Sequence, residues 1–424
     1  MPAHAGKRLL LLCTTTGYQT RAFVQSAEKL GVSIVFGTDR CHVLDDPWRD
    51  GAIPLRFEDA EASAAKLMEY AASHPIHGVV ALGDRPGPTA GLLAEALRLA
   101  AHPRTAADIC RDKYLSREVL RQAGMKVPEY QRFSVEEDPK QILSSSALKV
   151  GFPCVLKPLS LSGSRGVIRA NTDQEFTAAF LRIRALLRSG EIGALREDSS
   201  NFIQVESYIE GKEVAVEGLV DRGRLHVLAI FDKPDPLDGP FFEETIYVTP
   251  SRLPAVTQTA IKNTVEQAVR ALGLFDGPLH AEMRVNEAGV WPLEIAARPI
   301  GGLCARTLRF QENMSLEELI LRHALGEKIV PVREARAAGV MMIPIPQAGF
   351  LEEVKNVREA AETPGVEAIE ITAKVREKLV PLPEGSSYLG FIFARGESPE
   401  IVEAALRLAH EKLQFVISPS LPVV

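Results

Sequence analysis

The first hundred residues alternate strand-like apolar runs with amphipathic helix-like runs, which restricts this region to a parallel sheet joined by helical crossovers. Leu9 to Leu12 reads as a buried strand, followed by a Thr/Gly turn and an amphipathic run from Ala22 to Leu30. Val32 to Phe36 is a second strand closed by Gly37-Thr38-Asp39. Ile76 to Leu82 is another, ending at Gly83-Asp84-Arg85-Pro86-Gly87 and followed by a helix pattern from Thr89 to Leu99. The glycine fingerprint Gly-x-Gly-x-x-Gly is absent from the first turn, so no dinucleotide site is expected there. Gly17 reads as ordinary turn chemistry.

Beyond this region, a helix pattern covers Asp112 to Ala123 and is stopped by Gly124 and Pro128. Strand patterns follow at Gly151 to Lys157, Phe202 to Tyr208, Glu213 to Val220 and Leu225 to Phe231, with helices over Asp173 to Ser189 and Leu253 to Leu272. Leu279 to Val285 and Val290 to Ala296 form a hairpin pattern around Asn286-Glu287-Ala288-Gly289. Ser315 to Leu325 is a helix, with Ser315 as N-cap and Glu318 completing a capping box. The last ninety residues look separate, a small α+β unit. In it, Gly339 to Ile345, Val366 to Thr372 and Tyr388 to Ala394 are strands, and Leu351 to Ala361 and Ser398 to Leu413 are helices.

Composition excludes several classes. The net charge of −6 over 424 residues lacks the basic excess of a nucleic-acid binder. No apolar stretch is long enough to span a membrane. The run Leu9 to Cys13 is too short for a signal-peptide core. The five cysteines (Cys13, Cys41, Cys110, Cys154, Cys304) are scattered without a Cys-x-x-Cys pair, which points to a reducing cytoplasm.

Three segments carry chemistry. Glu282 and Glu294 lie on the two arms of the hairpin, at positions that place them opposite each other on one face unless a bulge intervenes. Carboxylates in apolar strands are costly unless paired or metal-bound. Two hard oxygen ligands suit magnesium in a nucleotide site. A structural ion pair such as Glu294 with Arg298 explains the hairpin equally well. Lys157 precedes Ser160-Leu-Ser162-Gly163-Ser164-Arg165-Gly166, where small residues and backbone N–H groups suit phosphate. This is not a Walker A loop, since the lysine comes before the glycines, and a Gly/Ser hairpin tip is an equal alternative. Gln204-Val-Glu206-Ser207-Tyr208-Ile209-Glu-Gly211-Lys-Glu213 reads as strand, turn and returning strand.

Taken in order, Lys113, Lys157, the Gly/Ser loop, Glu206 to Glu213, Glu282, and Glu294 to Arg298 resemble the motif series of the ATP-grasp superfamily over residues 8 to 325. The resemblance implies an α/β and α+β architecture. Its parts are a Rossmann-like N-terminal domain (1–112), a central ATP-grasp domain (113–328, with a mobile lid at about 128–210) and a small α+β C-terminal domain (329–424). It implies that Lys113 and Lys157 contact ATP phosphates and that Ser162, Gly163, Ser164 and Gly166 belong to the lid loop. Glu206 with the backbone of Ser207 and Ile209 would hold adenine, and Glu213 the ribose. Glu282 and Glu294 would hold Mg2+, with Mn2+ as an alternative, and Arg298 would stabilise the transferring phosphoryl group. Many members carry Glu-x-Asn where this chain has Glu294 and Ala296, which leaves a second metal position less complete.

Arg298-Pro-Ile-Gly301-Gly302, Asp232-Lys233 and the segment from Gly239 through Glu244 and Tyr247 to Ser251 resemble L-amino acid ligases and carnosine synthase. That resemblance implies that Glu244, Tyr247, Arg298, Gly301 and Gly302 face small-molecule carboxylate and amine substrates, amino acids among them. The chemistry would be in-line phosphorylation of a carboxylate followed by amine attack on the acyl phosphate, with no nucleophilic side chain and with Cys304 as a small loop residue. A biotin-carboxylase-like or purine-pathway enzyme shares the same ATP site, although no Met-Lys-Met motif is present. A non-catalytic nucleotide-binding scaffold is the alternative of another class. A cytoplasmic protein with no membrane or nucleic-acid partner is expected, and a homodimer is left open.

Overall fold

The computed structural model describes residues 4, 6–14, 19–39, 52–145 and 147–419. The turn at Thr15, Thr16 and Gly17, and Cys41, lie outside the described residues.

The apolar runs of the first hundred residues form a parallel sheet in the order Ile53–Pro54, Ser33–Thr38, Arg8–Cys13, Gly78–Leu82. Leu9 pairs with Ile34 on one side and Gly78 on the other. Helices Thr20–Leu30, Ala60–Ser73 and Gly87–Leu97 cover it, Ala60–Ser73 being one that sequence reasoning did not identify. Leu10, Leu12 and Val79 pack on one face against Leu67 and Leu93, while Leu9 and Leu11 belong to a core shared with helix Leu316–Ala324 and the central sheet. Continuous apolar strands therefore sit in a sheet buried on both faces.

The central sheet has eight strands in the order Gly289–Ala296, Gly277–Asn286, Lys212–Asp221, Arg224–Asp232, Ile246–Thr249, Ala337–Ile343, Gly390–Gly396, Val366–Ile371. All neighbours are antiparallel. Strands from the last ninety residues thus continue the sheet that carries Glu282 and Glu294. Helix Ala255–Leu272 buries Ile261, Val265, Ala268, Val269 and Leu272 against the sheet and ends at Gly273 with φ +72°. That left-handed cap suits glycine, which has no Cβ to clash. A separate four-stranded antiparallel sheet, Tyr130–Ser134, Phe202–Ser207, Cys154–Pro158, Ile168–Ala170, has its own core against helix Asp173–Leu187.

Two local expectations are corrected. Leu351 to Ala361 is not one helix: Gly349–Lys355 is a strand and only Val357–Ala361 is helical. The strand pairs with Gln414–Ser418, and Asn356 at φ +63° breaks the chain between the two elements. Ser315 Oγ does cap the next helix by accepting from Glu318 N at 3.1 Å. The reciprocal half of the capping box is not made, because the Glu318 carboxylate pairs with Lys29 (2.6 Å) and Arg322 (2.8 Å). Among the described residues, no helix is long and apolar enough to cross a membrane.

Candidate active site

The hairpin of Gly277–Asn286 and Gly289–Ala296 sets the site. At its tip the register is Asn286 opposite Gly289 and Met283 opposite Pro292. Continued without a break, that register would set Leu293 opposite Glu282 and turn Glu294 to the other face. A bulge at Leu293 shifts it, so that Glu282 directly opposes Glu294. The bulge is secured by Arg117, whose Nη2 donates to the Leu293 carbonyl at 2.6 Å. On the neighbouring strand, Glu213, Ala215 and Glu217 lie opposite Arg284, Glu282 and His280. One face of the sheet is thereby loaded with charge, and its other face packs on the Ala255–Leu272 helix.

Each charge on that face has a defined partner. Lys113 Nζ stands 3.1 Å from Glu294 Oε2 and donates to the Leu161 carbonyl at 2.8 Å. Arg298 Nε reaches both Asp84 oxygens at 3.1 Å, Nη1 donates to Pro299 O at 3.0 Å, and Nη2 lies 3.9 Å from Glu294. Burial opposes the charge on Arg298, but Asp84 and Glu294 outweigh it and hold the guanidinium pKa above its usual value. Lys157 on Cys154–Pro158 pairs with Glu206, which also accepts from Arg117 Nε at 2.6 Å. Burial would raise the Glu206 pKa, yet Arg117 and Lys157 bring it down to about 2. Burial also lowers the Lys157 pKa, against the opposing pull of Glu206.

Lys233 lies among three carboxylates. It pairs with Glu213 at 2.9 Å and with Glu244, and stands 3.6 Å from Glu282. Burial and the Glu282 charge push the Glu244 pKa up to about 7, against the pull of Lys233. His280 is 3.1 Å from Glu217 and 3.4 Å from Glu282. Burial lowers its pKa, but Glu217 and Glu282 raise it to about 9. His280 is also the cross-strand partner of Ala296.

A cleft opens between the four-stranded unit and the central sheet. Lys113, Lys157, Gly163, Ser164, Glu206, Ser207, Ile209, Glu213, Glu244, Glu282, Glu294 and Arg298 line it together. Ser162, Gly166, Tyr247, Gly301 and Gly302 are not among its lining residues. Gly166 sits at φ +73°, where a Cβ would fall 2.7 Å from Pro158. Tyr247 is buried against Phe231, its ring 5.0 Å from Lys233 Nζ. Gly302, at φ +59°, packs under Phe391. Ser207 N–H donates to the Glu129 carbonyl, and the Ile209 carbonyl accepts from Arg284. Burial pushes the Cys304 thiol pKa up, which leaves no thiolate at neutral pH.

Sequence reasoning missed Asp84, Arg117, Arg284 and the aromatic wall of Tyr208 and Phe242, whose rings stand 6.4 Å apart at 29°. Asp84 lies in a turn that reads as ordinary Gly/Pro punctuation, 214 residues from Arg298. Arg284 shares strand parity with Glu282, a signal that could have found it.

An all-carboxylate oxygen donor set beside lysines and an arginine fits a magnesium–nucleotide pair. The chain is an ATP-grasp protein. Residues 24–100 match the ATP-grasp N-terminal domain, 150–307 the ATP-grasp domain, and 341–418 the L-amino acid ligase C-terminal domain 2.

Among solved structures it is similar to L-amino acid ligase from Bacillus licheniformis, with a TM-score of 0.82 and 28% identity over 97% of this chain and 99% of that one. The chain is 24% identical to the uncharacterized protein y4rH of Sinorhizobium fredii, over 97% of this chain and 84% of that protein. It is 27% identical to alanine–anticapsin ligase of Bacillus subtilis over 69% of this chain, a match spanning 64% of that ligase. N5-carboxyaminoimidazole ribonucleotide synthetase from Thermotoga maritima, at 16% identity and a TM-score of 0.70, shares the fold.

Proposed function

We propose that the protein is an ATP-dependent carboxylate–amine ligase that joins two amino acids through an acyl phosphate and releases ADP and phosphate. The observation that carries this reading is the directly opposed Glu282 and Glu294 in one cleft with Lys113, Lys157 and Arg298. Similarity to the Bacillus ligases supports the choice of amino acids as substrates.

Each residue has a task in this reading. Tyr208 and Phe242 offer an aromatic wall to the adenine ring. Lys113 and Lys157 neutralise phosphate oxygens, and Gly163 and Ser164 bring the lid backbone close to them. Glu282 and Glu294 would hold Mg2+, which when bound supplies charge neutralisation on the transferring phosphate. Arg298, held by Asp84, presents a planar fork to the phosphoryl group and the carboxylate it joins. Closure of the four-stranded unit excludes water from the acyl phosphate until the amine attacks. Glu244 lies beside the cleft, where it can meet a substrate ammonium.

The test is a matrix of paired amino acids with Mg-ATP, scored by ADP release and by product mass. ADP release that requires two amino acids and yields a dipeptide mass is expected. Release driven by bicarbonate alone would instead favour a carboxylase. ATP binding without turnover on any pair would leave a scaffold.

A further inference from the structure

A second cluster of ligating side chains lies far from the cleft. Asp221 ends the strand Lys212–Asp221, Asp276 immediately precedes the strand Gly277–Asn286, and His323 is in the last turn of helix Leu316–Ala324. Asp276 is six residues before Glu282, about 20 Å along an extended strand.

His323 is only 6% exposed. Its Nε2 stands 3.7 Å from Asp276 Oδ1 and 3.8 Å from Asp221 Oδ1. Both distances exceed a hydrogen bond. The buried His323 side chain thus faces two carboxylates without a hydrogen bond to either. All three ligand atoms lie within 4.8 Å of one another. Ligands about 2.1 Å from a tetrahedral ion stand about 3.4 Å apart, and the two His323–carboxylate separations of 3.7 and 3.8 Å come within a few tenths of an ångström of that spacing.

We propose that Asp221, Asp276 and His323 form a binding site for a borderline divalent cation of the zinc type. One imidazole nitrogen with two carboxylate oxygens suits such an ion better than magnesium or calcium, which favour oxygen throughout. Two carboxylates balance its double charge. The Arg222 amide donates to Asp276 Oδ1 at 2.8 Å and so orients that ligand from behind. Asp221, with a side chain 40% exposed, gives the ion a path from solvent and leaves room for water as the fourth ligand.

The three side chains come from three elements. Helix Leu316–Ala324 packs on Thr20–Leu30 and Gly78–Leu82 of the N-terminal sheet as well as on Gly277–Asn286. The ion would therefore fasten the helix that seats the N-terminal domain to the central sheet. This inference does not rest on the ligase reading.

The test uses the full-length protein stripped with a chelator and titrated with zinc chloride under excess magnesium. One zinc per chain should survive desalting and raise the melting temperature. Affinity should fall at least tenfold in His323→Gln and in Asp221→Asn, the latter a surface change that spares folding. Zinc-edge anomalous diffraction should place the ion among the three side chains. Failure to retain zinc, equal retention by both variants, or an anomalous peak only at Glu213, Glu244 and Glu282 would overturn the site and leave His323 in water-bridged ion pairs.

Discussion

Histidine 102 joins the N-terminal domain to the central sheet, and its protonation should make that joint sensitive to acid. Its Nδ1 accepts the Phe275 amide at 3.2 Å, so Nε2 carries the proton that goes to the Pro278 carbonyl at 2.9 Å. The ring lies against Gly277, where a Cβ would come within 3.2 Å of it. Burial outweighs the Pro278 hydrogen bond and lowers the pKa from 6.5 to about 4. A depressed histidine pKa means that the folded state prefers the neutral ring. Its stabilising contribution is complete above pH 6.5 and is lost as pH falls toward 4. The shift corresponds to a loss of about 2 kcal/mol by pH 5 and about 3 kcal/mol by pH 4. Urea unfolding at pH 7.5, 6, 5 and 4, for wild type and His102→Gln, measures it. The glutamine variant should be weaker at pH 7.5 by about 1–3 kcal/mol through an imperfectly replaced buried hydrogen bond. That gap should close toward pH 4, because only wild type loses the histidine contribution. A gap that stays constant across the series would refute the reasoning.

Three further outcomes are expected. Glu294→Gln should abolish turnover while the melting temperature holds, and near-normal activity would place the metal elsewhere. Arg298→Lys should lower kcat about a hundredfold, roughly 3 kcal/mol of transition-state stabilisation, with little change in ATP affinity. Unchanged turnover in a stable protein would reduce Arg298 to a structural partner of Asp84. Arg117→Leu should destabilise the fold by about 3–5 kcal/mol in chemical denaturation, because it leaves the buried Glu206 carboxylate short of a partner; a loss below 1 kcal/mol would show that Lys157 and the Gln204 amide suffice.

Much of the architecture was legible because it is written in local periodicity. The parallel N-terminal strands and the helix Ala255–Leu272 follow directly from apolar spacing. The opposition of Glu282 and Glu294 was legible too, although for an incomplete reason. A regular two-residue hairpin would have separated them by face, and the bulge at Leu293 brings them together. Nothing in the local sequence announces that bulge, since Arg117 secures it from 176 residues away. Asp84 and His102 were invisible for the same reason: their partners Arg298 and Pro278 are remote in the chain. Lys233 stood in a recognised motif, but only the folded sheet reveals the three carboxylates around it. Leu351 to Ala361 misled because its apolar spacing fits a helix, whereas the partner strand Gln414–Ser418 decides its state.

The eight-stranded sheet bears on how far this protein can be divided. The last ninety residues read as an appendage, yet strand Ala337–Ile343 occupies the hydrogen-bonding side of Ile246–Thr249. Those four residues are all buried. A shortened protein ending after Gly326 would turn them into a bare apolar edge, the kind of surface that recruits other chains by strand pairing. Arg224–Asp232, which leads into Lys233, lies only one strand further in. Such a truncation would be expected to aggregate rather than persist as a smaller catalyst. For engineering, the indivisible unit is the whole ribbon of strands, and exchange of the C-terminal segment between relatives should succeed only when Ile246–Thr249 travels with it.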